Sequence, residues 1–136
     1  QYGGYTLSTV ARNILYFSSS AEDRYERLDE LTGNDVVFSI SFHRYFKATV
    51  EVAAFSKRKG AFVAGITDSI LSPIAPYCDE LFIVPNDAPF LSYLPAMTLM
   101  DALCFAFIRA KGDDAKKLLD HRMEVLLSNN VYTDLE

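Results

Sequence analysis

The 136 residues are 50% hydrophobic and 23% charged, proportions that suit one globular domain and leave too little chain for two. Thirteen Lys+Arg stand against eighteen Asp+Glu, a net charge of −5, which is the wrong sign for a surface that neutralises DNA phosphates. No run of about 18 uncharged apolar residues exists, and residues 1–10 lack the basic-then-apolar layout of a signal peptide, so a cytoplasmic protein with no membrane contact is expected.

In chain order, Asn13-Ile14-Leu15-Tyr16-Phe17 is a weak strand candidate, and Asp35 to Ser41, preceded by a Gly33-Asn34 turn, is a stronger one. Its apolar, β-branched run reads as a parallel strand buried on both faces. Lys47 to Lys59 places Ala48, Val52, Ala54 and Phe55 at helical spacing, gathers Lys57-Arg58-Lys59 in the last turn and stops at Gly60, as a helix should. Ala61 to Ile66 is again strand-like. Ser72-Pro73 then has the form of an N-cap followed by Pro at the first position of a short helix ending near Tyr77. Leu81 to Val84 is a third strand, closed by Pro85. Strands alternating with helices over short links predict a parallel sheet with helices on both faces.

From Phe90 to Ile108 the only charge is Asp101, and apolar residues occupy nearly every side of the helical wheel. Such a helix is buried all round, either wholly inside one domain, for which a domain this small has little room, or between the sheet and a second subunit, the reading preferred here, which predicts a homodimer. Lys111 to Asp114 breaks it, and a last helix runs from Ala115 to Leu127, stopping at Ser128-Asn129-Asn130. Cys78 and Cys104 form no CxxC pair and have no His at metal-ligand spacing, so both read as small core residues and no metal or cofactor is expected.

Ligands of open parallel sheets collect at the carboxyl ends of the strands. There Ser41-Phe42-His43-Arg44-Tyr45-Phe46-Lys47 brings a hydroxyl, an imidazole, a guanidinium and an ammonium to one turn of an acidic protein. Such a turn, followed by the free N–H groups of a helix start, either binds an anion or pairs with surface carboxylates, and composition alone does not separate the two. After the next strand, Thr67, Asp68, Ser69 and Ser72 add hydroxyls and one carboxylate, with Ser72 also a helix cap.

These residues resemble a known family. Asp35 to Ser41 with its turn, Gly60-Ala61-Phe62-Val63-Ala64-Gly65-Ile66-Thr67-Asp68-Ser69, Ser72-Pro73-Ile74-Ala75 and Cys78-Asp79-Glu80-Leu81 are similar to the SIS (sugar isomerase) domain. More narrowly they resemble the effector domain of RpiR/MurR-type bacterial transcriptional regulators, over roughly Ile14 to Ile108. The resemblance implies a flavodoxin-like, three-layer α/β fold that binds a phosphosugar or a related sugar derivative through Ser41, His43, Arg44, Tyr45, Thr67, Asp68, Ser69 and Ser72. It also implies that DNA is met only through a helix-turn-helix domain, which this chain does not contain. The family's usual strand ending is Ser-x-Ser-Gly. Here Ser41 matches the first Ser, and His43-Arg44 stand where Ser-Gly would be, as in a basic subset resembling "SFRRY". The strand matched by Asn13 to Phe17 is the family's second, so residues 1–136 read as one SIS-like domain that begins inside the fold, without its first strand.

Two functions follow from the resemblance: ligand sensing by a regulator, and sugar-phosphate isomerisation. An isomerase needs a general base over the substrate carbon. Only His43 and Glu51 lie near the turn; Glu51 suits a surface i, i+4 pair and His121 the charged face of the last helix. With no acid/base pair in view, sensing is preferred and no catalytic residue is assigned.

Overall fold

The computed structural model describes residues 8, 14–15, 21–85 and 92–129. Contacts divide the chain into two compact units, Phe17–Ala96 and the segments Gln1–Tyr16 with Met97–Glu136. In the first unit, α1 (Ala21–Asp29), β1 (Val36–Ser41), α2 (Lys47–Arg58), β2 (Phe62–Thr67), a 3₁₀ turn (Ala75–Tyr77) and β3 (Glu80–Ile83) follow one another. The strands are parallel in the order β1-β2-β3, with Val37 beside Val63, Ser41 beside Thr67 and Thr67 beside Ile83. The α/β class and the parallel sheet are therefore as the sequence predicts, with three strands among the described residues. The weaker strand candidate, Asn13 to Phe17, lies largely outside the described residues, and its described members Ile14 and Leu15 are not in a strand.

Local chemistry accounts for the elements. Thr32 and Asp35 close the turn into β1: Asp35 Oδ2 accepts from the Thr32 N–H and hydroxyl, both at 2.8 Å. At the end of α2, the Gly60 N–H donates to Lys57 O at 3.1 Å and the Ala61 N–H to Ser56 O at 3.1 Å. This is a Schellman closure, with Gly60 at φ 83° supplying the left-handed residue. Lys59 Nζ reaches Asp29 Oδ1 at 2.6 Å and so ties the ends of α1 and α2 together. At the amino edge of the sheet, Asp79 takes the Val63 N–H on Oδ2 at 2.9 Å and an ion pair from Lys57.

Two core clusters lie on the α2 face of the sheet. Leu28 of α1, Val37 of β1, Val52 of α2 and Ala61 form one buried cluster; Ala53, Val63 and Ile74 form a second. Burial along β1 alternates, and Val36, Phe38 and Ile40 stay substantially exposed. The expectation that this strand is buried on both faces is thus corrected: α2 packs on the Val37 face, and the opposite residues of β1 remain open. β2, the middle strand, does fit a two-sided burial, since Val63 to Thr67 are all buried.

The helix expected from Ser72-Pro73 is replaced by a loop and the single 3₁₀ turn. Ser72 caps nothing, because the cap position of that turn is Ile74 and the buried Ser72 hydroxyl has no hydrogen-bond partner. Pro76, not Pro73, is the early proline of the turn. Cys78 is half-buried and packs against the Ala53, Val63 and Ile74 cluster, with its thiol donating to Ile74 O at 3.2 Å; Cys104 is buried as expected.

The long apolar helix, α3 (Leu94–Lys111), begins at the end of the first unit and runs on into the second. Met100 and Cys104, one turn apart, are buried, whereas Phe105 is exposed. Gly112 separates it from α4 (Asp113–Ser128), whose first turn carries Asp113 and Asp114 and buries Ala115. His121 on α4 is exposed. Among the described residues no helix is long and apolar enough to cross a membrane.

Candidate functional site

The carboxyl ends of β1 and β2 carry the residues singled out from the sequence, and the parallel register sets Ser41 next to Thr67. The two loops that follow are joined by one side chain. Asp68 Oδ2 accepts the His43 main-chain N–H at 2.9 Å, and Asp68 Oδ1 accepts the Tyr45 hydroxyl at 3.0 Å and the Thr67 hydroxyl at 3.3 Å. Asp68 thus grips the turn on either side of Arg44. Burial by itself would raise the Asp68 pKa. Hydrogen bonds from the His43 N–H, the Tyr45 hydroxyl, its own N–H and the Thr67 hydroxyl outweigh it and hold the carboxyl below its ordinary value. Tyr45 moves the other way, raised by burial and by its bond to the Asp68 carboxylate.

Arg44 has φ 71°, the one non-glycine residue with positive φ among those described. A side chain in the left-handed region costs about 1–2 kcal/mol over the right-handed one. The strained backbone sits at the position where the resemblance places glycine. The Arg44 side chain is exposed and makes no hydrogen bond or ion pair among the described residues. Two residues on, Phe46 stands at the N-cap of α2 and gives it no side-chain cap, and the first turn of α2 holds no acidic residue. Lys47 pairs with Glu51 across one helical turn at 3.7 Å, the surface pairing expected for Glu51. An unpaired guanidinium beside an uncapped helix start is suited to an anion such as a phosphate.

The other candidates divide. Ser41 is almost buried, and its hydroxyl makes no hydrogen bond among the described residues. The Ser69 hydroxyl accepts the Leu71 N–H at 3.1 Å, and its carbonyl accepts the Ser72 N–H at 3.0 Å, so Ser69 and Ser72 build the second loop's own turn. The structure therefore brings together Ser41, His43, Tyr45, Thr67 and Asp68 around Arg44, while the side chains of Ser69 and Ser72 are not tied to them. Sequence reasoning did not foresee the bond pattern of Asp68 or the conformation of Arg44. The available signal for the second was the substitution of Arg for a glycine at that turn. It also overlooked the exposed apolar side chains of Phe46, Ile70 and Leu71 on the same two loops. Among the described residues no cluster of His, Cys, Asp and Glu could hold a metal ion.

The profile of the SIS domain matches residues 1–106. The chain belongs to the SIS domain family. Two solved structures share the fold of this SIS domain. The sugar isomerase domain of an RpiR transcription factor from Sphaerobacter thermophilus superposes with a TM-score of 0.79 at 20% identity, covering 90% of this chain and 70% of its own. NanR of Vibrio vulnificus, solved in complex with ManNAc-6P, superposes with a TM-score of 0.80 at 16% identity, covering 96% of this chain and 51% of its own. The SIS chain thus spans about half the length of NanR. No curated protein matches it in sequence.

Proposed function

We propose that this SIS domain is the ligand-sensing module of an RpiR-type transcriptional regulator, and that its ligand is a phosphosugar or a related anionic sugar derivative. The observation that carries the reading is the exposed, unpaired guanidinium of Arg44 on a turn that opens onto the uncapped start of α2. In an acidic protein, a cation in no ion pair with a described carboxylate has its charge available for a ligand. His43 and Ser41 supply further donors at the same strand end. The fold likeness to NanR, solved with ManNAc-6P, supports this choice of ligand class. Sensing is favoured over isomerisation because Asp68, the acid nearest the turn, has both oxygens occupied, and Glu51 pairs with Lys47. In this reading the domain works in the cytoplasm as a homodimer, ligand binding shifts the dimer's arrangement, and DNA contact belongs to a helix-turn-helix domain.

Calorimetric titration with ManNAc-6P, glucose 6-phosphate and inorganic phosphate tests the reading. At least one sugar phosphate should bind, and Arg44→Ala should weaken it at least tenfold. Equal affinity for the wild type and Arg44→Ala would place the site elsewhere, and turnover of an aldose or ketose phosphate would make the protein an enzyme.

A further inference from the structure

We propose that Asp68 is the positioning residue of this site: it clamps the turn from both sides so that Arg44 is held in the left-handed conformation that presents its guanidinium, and it does not itself touch the ligand. The inference rests on reading the turn as the phosphate site.

Three observations point to it. Arg44 occupies a conformation that glycine or asparagine adopts more cheaply, yet its exposed side chain makes no hydrogen bond or ion pair among the described residues. Something must therefore impose the conformation. The Asp68 carboxylate reaches the residue before Arg44 through the His43 N–H and the residue after it through the Tyr45 hydroxyl, at 2.9 and 3.0 Å. Those bonds span 25 and 23 positions of sequence and couple the loop after β2 to the turn after β1. Finally, a carboxylate is a poor partner for an anion, whereas two inward-directed oxygens suit it to hold donors of the protein. Asn at this position could keep both arms, its oxygen accepting the His43 N–H and its NH2 donating to the Tyr45 hydroxyl, which can also accept, whereas Ala removes both.

The test is a double-mutant cycle on Arg44→Gly and Asp68→Ala, read by thermal melting without ligand and by calorimetric titration with ManNAc-6P and with inorganic phosphate. Arg44→Gly should raise the melting temperature in the wild-type background and do so much less in Asp68→Ala, where the released turn holds no strain to relieve. Asp68→Ala, with Arg44 intact, should weaken both probes by the same factor, about tenfold. Tyr45→Phe, which removes one arm, should give the same pattern more weakly, and it serves as the variant if Asp68→Ala does not fold. An equal melting gain from Arg44→Gly in both backgrounds overturns the clamp whether or not any probe binds. So does an affinity loss confined to ManNAc-6P, because it would make Asp68 a direct contact with the sugar. If neither probe binds the wild type, the phosphate reading fails while the melting cycle still decides the clamp.

Discussion

A Cβ added to Gly65 would lie 2.4 Å from Cys78 Sγ and 2.8 Å from Leu81 Cδ1, in the middle strand of the sheet. Gly65→Ala must push two packed side chains aside, and a loss of about 1–3 kcal/mol by urea denaturation is expected. Gly60 has open space around the corresponding position but φ 83°. Gly60→Ala should therefore lose only about 1 kcal/mol, the conformational part. Asp68 brings a pH dependence. Its folded pKa lies below the ordinary value, burial raising it and the bonds from His43, Tyr45 and Thr67 lowering it more. Its contribution to stability is present above about pH 4 and is lost as the pH falls through the depressed folded value. Melting curves from about pH 5 to 2 should fall more steeply for the wild type than for Asp68→Asn. Tyr45, raised by burial and by Asp68, contributes below its ordinary value and loses that contribution as pH rises through the higher one.

Among the elements, the connection between β2 and β3 departs most from its sequence reading, yet it anchors the fold. Ile74, fully buried, packs with Ala53 of α2 and Val63 of β2, whereas Leu71 three residues earlier is 88% exposed. Ile74→Ala should cost about 2–5 kcal/mol, and Leu71→Ala should stay within about 0.5 kcal/mol of the wild type, both measured by chemical denaturation. The Ser-Pro pair suggested a helix because Ser caps and Pro starts helices. In the structure the chain instead turns through Ser69 and Ser72, and its buried residue is set by contact with α2. Capping preference is a local property, whereas the position of Ile74 depends on where α2 lies.

At the scale of the whole molecule, α3 and α4 carry more apolar surface than they bury. Phe105 is 68% exposed while Met100 on the same helix is 5% exposed, so the two residues separate self-association from folding. Phe105→Glu should leave a folded protein but halve its mass by light scattering if α3 joins two copies. Met100→Glu should unfold the protein, because it buries an unpaired charge. A mass unchanged by Phe105→Glu in a well-folded variant would remove Phe105 from any interface. With a net charge of −5, this chain should retard no defined operator duplex at physiological salt in an electrophoretic assay.

The three parallel strands, the α2 helix with its glycine stop, the break at Gly112 and the cationic turn after β1 are all legible in the amino-acid order. Each is written in neighbouring residues: β-branched apolar runs, basic residues before a glycine, and a cluster of donors at a strand end. Tertiary structure alone decided the faces and the partners. Whether Val36, Phe38 and Ile40 are covered depends on which elements pack on β1, and their side chains read the same in either case. Asp68 illustrates this for the site. A carboxylate at the end of a strand can contact a ligand, cap a helix or brace a loop, and only the parallel register of β1 and β2, which sets Ser41 beside Thr67, brings it against His43 and Tyr45. The strain at Arg44 is decided in the same way, because a backbone angle follows from the bonds that hold the turn, and those bonds come from a loop more than twenty residues away.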